Sequence, residues 1–95
     1  MEIRTLKYFL AVAREENITR AAKFLHITQP TLSRQLMQLE EELDAQLFIR
    51  GKNRIVLTDE GMLLRRRAEE IVDLAKKTEK EFLERNDLVT GKIFI

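Results

Sequence analysis

The stretch from Ile18 to Gly61, ITRAAKFLHITQPTLSRQLMQLEEELDAQLFIRGKNRIVLTDEG, restricts the folds open to this chain more than any other part of it. Ala21, Ala22 and Leu25 recur at helical spacing. So do Leu32, Leu36, Leu39 and Leu43, after a short break at His26-Ile27-Thr28. A basic turn follows, in which Arg50, Lys52 and Arg54 surround Gly51 and Asn53. It lies between two short β-prone runs, Leu47-Phe48-Ile49 and Ile55-Val56-Leu57. Two helices nearly end to end, then a basic hairpin, make a winged helix-turn-helix, which turns its second helix outward toward a nucleic-acid groove. The expected class is mainly α: three helices and a two-stranded wing, then a long linker and dimerisation helix.

A first helix is expected from about Glu2 to Glu15, with Ile3, Leu6, Phe9, Leu10 and Ala13 as its apolar stripe. Asn17 is a suitable cap for the second helix, where the small Ala21-Ala22 pair lets another helix approach closely. Phe24 is expected to add core volume. Thr28 caps the third helix, and Pro30 falls in its first turn, where a missing N–H costs nothing. The third helix, ending near Leu43-Asp44, buries leucines and shows outward Pro30, Arg34 and Met37, flanked by Thr31, Ser33 and Gln38. A merely solvated helix would show Glu and Lys there, and that pattern begins only at Glu40.

Net charge is only +1, low for a DNA-binding chain, so the sign matters locally. Arg50, Lys52 and Arg54 have no acid among them, and Arg20, Lys23 and Arg34 add charge around the helix-turn-helix. The acids collect at Glu40, Glu41, Glu42 and Asp44 and along the helix after Asp59. Cysteine is absent, which excludes a disulfide framework or a thiolate metal site and fits a reducing cytoplasm. The N-terminus is no secretory signal, and no window approaches a membrane span. No nucleophile with its base, no metal-ligand spacing and no phosphate-cradling glycine loop is present, so neither catalysis nor a cofactor is expected.

From Thr58 onward a fourth helix carries Gly61, Leu64, Ala68, Ile71, Ala75, Thr78 and Phe82 at alternating spacings of three and four. That is a heptad seam, and it implies a partner helix for the turns that outrun the small domain. Asp73 with Lys77 and Lys80 with Glu84 suit a solvent-facing flank. Lys92-Ile93-Phe94-Ile95 reads as the opening of a strand with no sheet to join in this chain. The expected organisation is 1–58 winged helix-turn-helix, 59–87 linker and dimerisation helix, and 88–95 the start of a further domain.

These residues resemble the N-terminal DNA-binding domain of LysR-type bacterial transcriptional regulators. The likeness lies in LKYFLAVA of the first helix, TRAAKFLHITQPTLSRQLMQLEEEL across the helix-turn-helix, LFIR entering the wing and LTDEG entering the long helix. GKIFI is similar to the opening of that family's effector-binding domain. Asp44 stands where glycine is common, and Asn17-Ile18 replaces a serine-led cap. The resemblance implies a homodimer or homotetramer that binds an interrupted palindrome on double-stranded DNA. It also implies a small-molecule effector on a separate C-terminal domain, and a long helix that pairs with its counterpart. It places DNA contacts at Gln29, Pro30, Thr31, Ser33 and Arg34.

Gln29 suits adenine and Arg34 guanine, each through paired hydrogen bonds. Arg34 as a phosphate clamp and Gln29 as a solvated helix end remain open alternatives. With Thr28 and Gln38, the wing residues Arg50, Lys52, Asn53 and Arg54 complete the DNA-contact set. One wing cation is expected in the minor groove and the others on phosphates; Arg50 could instead pin the wing to the core. His26 reads as a turn residue rather than a ligand. The expected dimer contacts are Leu64, Ala68, Ile71, Ala75 and Phe82. Two rival functions are a helical dimerisation adaptor, disfavoured by the polar third helix and basic wing, and, more remotely, an enzyme.

Overall fold

The computed structural model describes residues 1–52 and 54–94, with side chains through Arg85. Its elements are α1 (Ile3–Glu15), α2 (Ile18–Leu25), α3 (Gln29–Leu43), β1 (Phe48–Arg50), β2 (Ile55–Leu57) and α4 (Asp59–Phe94).

The helix boundaries follow local chemistry. The Asn17 side chain accepts a hydrogen bond from the Arg20 N–H at 2.8 Å, and Thr28 Oγ1 accepts one from the Thr31 N–H at 3.3 Å. All three short helices end on a non-glycine residue in the left-handed region: Glu16 (φ 55), His26 (φ 60) and Asp44 (φ 50). Each donates its N–H back into the last turn of the preceding helix, to Val12, Ala22 or Lys23, and Glu40 or Glu41. The left-handed turn at Glu16 also leaves its carbonyl free to accept from the Ile55 N–H at 2.9 Å, tying β2 to the start of the helix-turn-helix.

One core joins all the elements. Leu6, Phe9 and Val12 of α1 meet Ala21 and Ala22 of α2, Leu32, Leu36 and Leu39 of α3, and Leu47, Phe48 and Ile55 of the wing. Phe9 and Phe48 stack with ring centroids 5.3 Å apart, tilted by 44°. Each fully buried Leu or Phe contributes about 1.5–3 kcal/mol.

The wing is an antiparallel hairpin with Phe48 opposite Leu57, Ile49 opposite Val56 and Arg50 opposite Ile55. It is closed by a Gly51 N–H donating to the Arg54 carbonyl at 2.8 Å. Glu40 on α3 accepts from the Leu47 N–H at 2.7 Å, so the third helix and the wing are held to one another directly.

Three expected core positions lie at the surface. Phe24 is 57% exposed, because the Ala21-Ala22 pair sets the buried direction of α2 and leaves residue 24 on the far side. It instead lies under the Arg14 guanidinium, 4.2 Å from the ring centroid. Ile3 and Leu43 sit at helix ends that extend past the core.

The long helix differs more. Leu64, Ala68 and Val72 belong to the domain's own core, where α4 packs on α1. Leu64 is 9% exposed and Ala68 0%, so both are corrected from dimer contacts to intramolecular ones. Ile71 is half-buried and packs on the same core. The strand expected at 92–95 is also not formed: α4 runs through Phe94, with Ile95 outside the described residues. A strand without a sheet leaves its N–H and C=O groups unpaired within the protein, whereas an extended helix pairs them internally. At 36 residues, α4 spans about 54 Å and accounts for most of the 58 Å long axis.

Candidate nucleic-acid interface

The third helix turns its leucines inward and its other face to solvent. Gln29, Pro30, Arg34, Met37 and Gln38 are exposed, and Thr31 and Ser33 are half-buried at its edges. Thr28 and Thr31 are occupied locally, since Thr28 Oγ1 donates to Thr31 Oγ1 at 2.8 Å while capping the helix. Gln29 is steadied by Thr19 of α2, whose hydroxyl donates to Gln29 Oε1 at 3.5 Å. Residue type alone did not mark Thr19; only the crossing of α2 over α3 places it there.

The hairpin brings the wing cations beside the start of this helix. Arg50, Gly51, Lys52 and Arg54 share one cleft with Gln29 and with Glu16, Asn17 and Ile18 at the start of α2. A second cleft, between α3 and β1, is lined by Ser33, Met37, Glu40, Gln46 and Arg50 among others. Arg50 therefore faces the space between helix and wing. Its side chain has no ion pair or hydrogen bond among the described residues. Asn53 lies outside the described residues.

Charge is distributed accordingly. Among the described residues, the ion pairs join Met1 to Glu42, Arg4 to Glu2 and Arg14 to Glu15, and the remainder lie along α4. Arg20, Lys23, Arg34, Arg50, Lys52 and Arg54 enter none of them. Lys7 of α1 and Arg66 and Lys76 of α4 also enter none, but Arg20, Lys23, Arg34 and the wing cations are the unpaired ones on the helix-turn-helix and wing, while Glu40, Glu41, Glu42 and Asp44 lie at the C-terminal end of α3. Such a surface attracts a polyanion at one end and repels it at the other. The Met1 ammonium has its pKa raised, first by its 2.7 Å hydrogen bond to Glu42 and then by that carboxylate's charge.

His26 serves as the left-handed turn residue between α2 and α3. No cluster of three or more metal-binding side chains occurs among the described residues, and no helix there is long and apolar enough to cross a membrane. On α4, Leu74 (64%), Phe82 (62%) and Leu83 (63%) are exposed and Ala75 is half-buried, so beyond Val72 the helix has apolar residues uncovered by its own domain.

The family model described as bacterial regulatory helix-turn-helix protein, lysR family, matches residues 3–62. The chain is similar to the HTH-type transcriptional regulator BsdA of Bacillus subtilis (strain 168), with 45% identity over 96 residues, covering all of this chain and 33% of BsdA. It is 54% identical over 63 residues to the probable cat1 operon transcriptional activator of Acinetobacter lwoffii, covering 66% of this chain and 21% of that protein. The chain thus spans about a third or less of these relatives. Its fold is similar to the BenM DBD in a complex with catB site 1 DNA, with TM-score 0.85 and 39% identity, covering 88% of this chain and 94% of that one. It is equally similar to the CbnR DBD in a DNA complex, with TM-score 0.85 and 39% identity, covering 90% of this chain and 98% of that one.

Proposed function

Since the chain belongs to the lysR family of bacterial regulatory helix-turn-helix proteins, we propose that it is the sequence-specific DNA-binding part of a transcriptional regulator. The observation that carries this reading is the cleft in which Gln29, at the start of the exposed α3 face, meets the wing cations Arg50, Lys52 and Arg54. In the proposed complex α3 enters the major groove and the wing lies against the adjacent minor groove. Gln29 and Arg34 read base edges, assisted by Pro30, Thr31, Ser33 and Gln38. Arg50, Lys52, Asn53 and Arg54 hold phosphates or enter the minor groove, and Thr28 shapes the helix start. The solved BenM and CbnR complexes with DNA support this use of the shared fold.

Two copies are proposed to pair through α4, in contact at Ile71, Ala75 and Phe82, with Leu74 alongside. Two-fold symmetry then presents two α3 helices to the half-sites of an interrupted palindrome. In the whole protein, tetramerisation and a small-molecule effector held by a C-terminal domain belong to the same proposal. So do a cytoplasmic location and a role without catalysis.

The test is the salt dependence of duplex affinity. Each phosphate neutralised contributes about −0.9 to the slope of log K against log salt, so two or three wing cations on phosphates give a slope of roughly −2 to −3 for each copy bound. Arg54→Ala should flatten it by about one unit. Absence of duplex binding, or binding indifferent to salt, would overturn the reading.

A further inference from the structure

Met37 has no role in the fold that would explain its position. It is 57% exposed and lies outside the core and the residues packed on it. Single exposed apolar residues are common on protein surfaces, but Met37 stands on the face of α3 proposed to meet DNA, where an apolar side chain can find an apolar partner. On α3, Pro30, Arg34 and Met37 follow one another at spacings of four and three, so they form one outward row opposite Leu32, Leu36 and Leu39. Met37 lies about 10 Å along the helix from Pro30, within the width of a major groove. It also borders the cleft between α3 and β1 together with Ser33 and Arg50.

The chemistry of the side chain narrows what it can recognise. A thioether has no hydrogen to donate and is a weak acceptor, so it cannot read the polar edges of guanine, adenine or cytosine well. It is unbranched and polarizable and settles onto irregular apolar surfaces. The apolar group displayed in the major groove is the C5-methyl of thymine. We infer that Met37 is a further specificity-determining residue, which selects thymine at one position of each half-site by covering that methyl group. This rests on the DNA-binding reading above and extends it by one helical turn beyond Arg34.

The experiment begins by selecting bound duplexes from a random pool with the unmodified chain, Met37→Ala and Met37→Leu. Because the side chain is exposed and alanine favours helices, the variants keep the fold, which circular dichroism verifies. Met37→Ala should lose a thymine preference at one half-site position while the rest of the motif persists, and Met37→Leu should retain it. Deoxyuridine placed at that position removes only the methyl group. It should weaken the unmodified chain about fourfold per half-site, the factor for one buried methyl-sized group, and leave Met37→Ala unaffected. An identical motif in all three proteins, or equal deoxyuridine sensitivity in the unmodified chain and Met37→Ala, would overturn the inference and leave DNA binding standing. Failure of the unmodified chain to select any motif would remove both.

Discussion

Gly61→Ala sets two effects of opposite sign against each other at the junction of wing and long helix. Gly61 is in the first turn of α4, and alanine in place of glycine there favours the helix by about 1 kcal/mol. Its position is nevertheless closed to a side chain. A Cβ would stand 2.2 Å from the Leu47 carbonyl oxygen and 3.0 Å from Leu57 Cδ2. The Leu47 oxygen is part of the backbone and already accepts from the Thr58 N–H at 3.0 Å. Thr58 in turn caps α4, its hydroxyl accepting from the Gly61 N–H at 3.0 Å. Relief of the clash therefore requires α4 to move off the wing or the Leu47 strand to move off Thr58. Overpacking costs about 1–3 kcal/mol, and a buried acceptor left without its donor about 1–3 kcal/mol more. Subtracting the helix gain leaves a net loss of about 1–5 kcal/mol, a large share of the stability of a domain this size. Urea unfolding monitored by circular dichroism measures it as a lower midpoint with an unchanged slope. A thermal midpoint lower by roughly 4–8 °C for each kcal/mol lost should accompany it. If Gly61→Ala instead raises stability by about 1 kcal/mol, helix propensity has prevailed and the close packing of α4 against Leu47 is refuted.

Arg34→Ala should weaken binding to a selected site by about 1–3 kcal/mol and binding to random duplex much less; equal losses on both would make Arg34 a phosphate clamp. Phe82→Asp should leave helical circular dichroism intact, because Phe82 is 62% exposed, and should convert a dimer to a monomer in sedimentation. Ile71 is unsuited to that test, since it packs on the core and an aspartate there would damage the fold itself. A Phe82→Asp chain that still dimerises would place the interface off the later turns of α4. Asp44→Gly should stabilise the domain by about 0.5–1 kcal/mol, because glycine accepts φ 50 without the side-chain penalty; a lower urea midpoint would show that the aspartate side chain matters more than its backbone angle.

The residues by themselves determined the elements and their order from Ile3 to the start of the long helix, though not how far that helix runs. Asn17 and Thr28 caps, the leucine spacing of the third helix and the β-prone runs around Gly51 are local signals, and each acts within a few residues of itself. They also determined which face of α3 is polar, since a period of 3.6 separates Leu32, Leu36 and Leu39 from Pro30, Arg34 and Met37 whatever the surroundings. Tertiary structure decided what the fourth helix does with its stripe. Spacing alone does not say whether an apolar seam meets its own domain or a second copy. The packing of α4 on α1 assigned Leu64, Ala68 and Val72 to the monomer core and left Leu74 and Phe82 uncovered. The same holds for Phe24, whose exposure follows from the direction in which the small Ala21-Ala22 pair seats α2. It holds too for Thr19 beside Gln29 and the Glu16 carbonyl beneath Ile55, contacts that join segments distant in sequence. Local propensity is set by neighbours along the chain, but the identity of the surface that covers an apolar stripe depends on where every other element has gone.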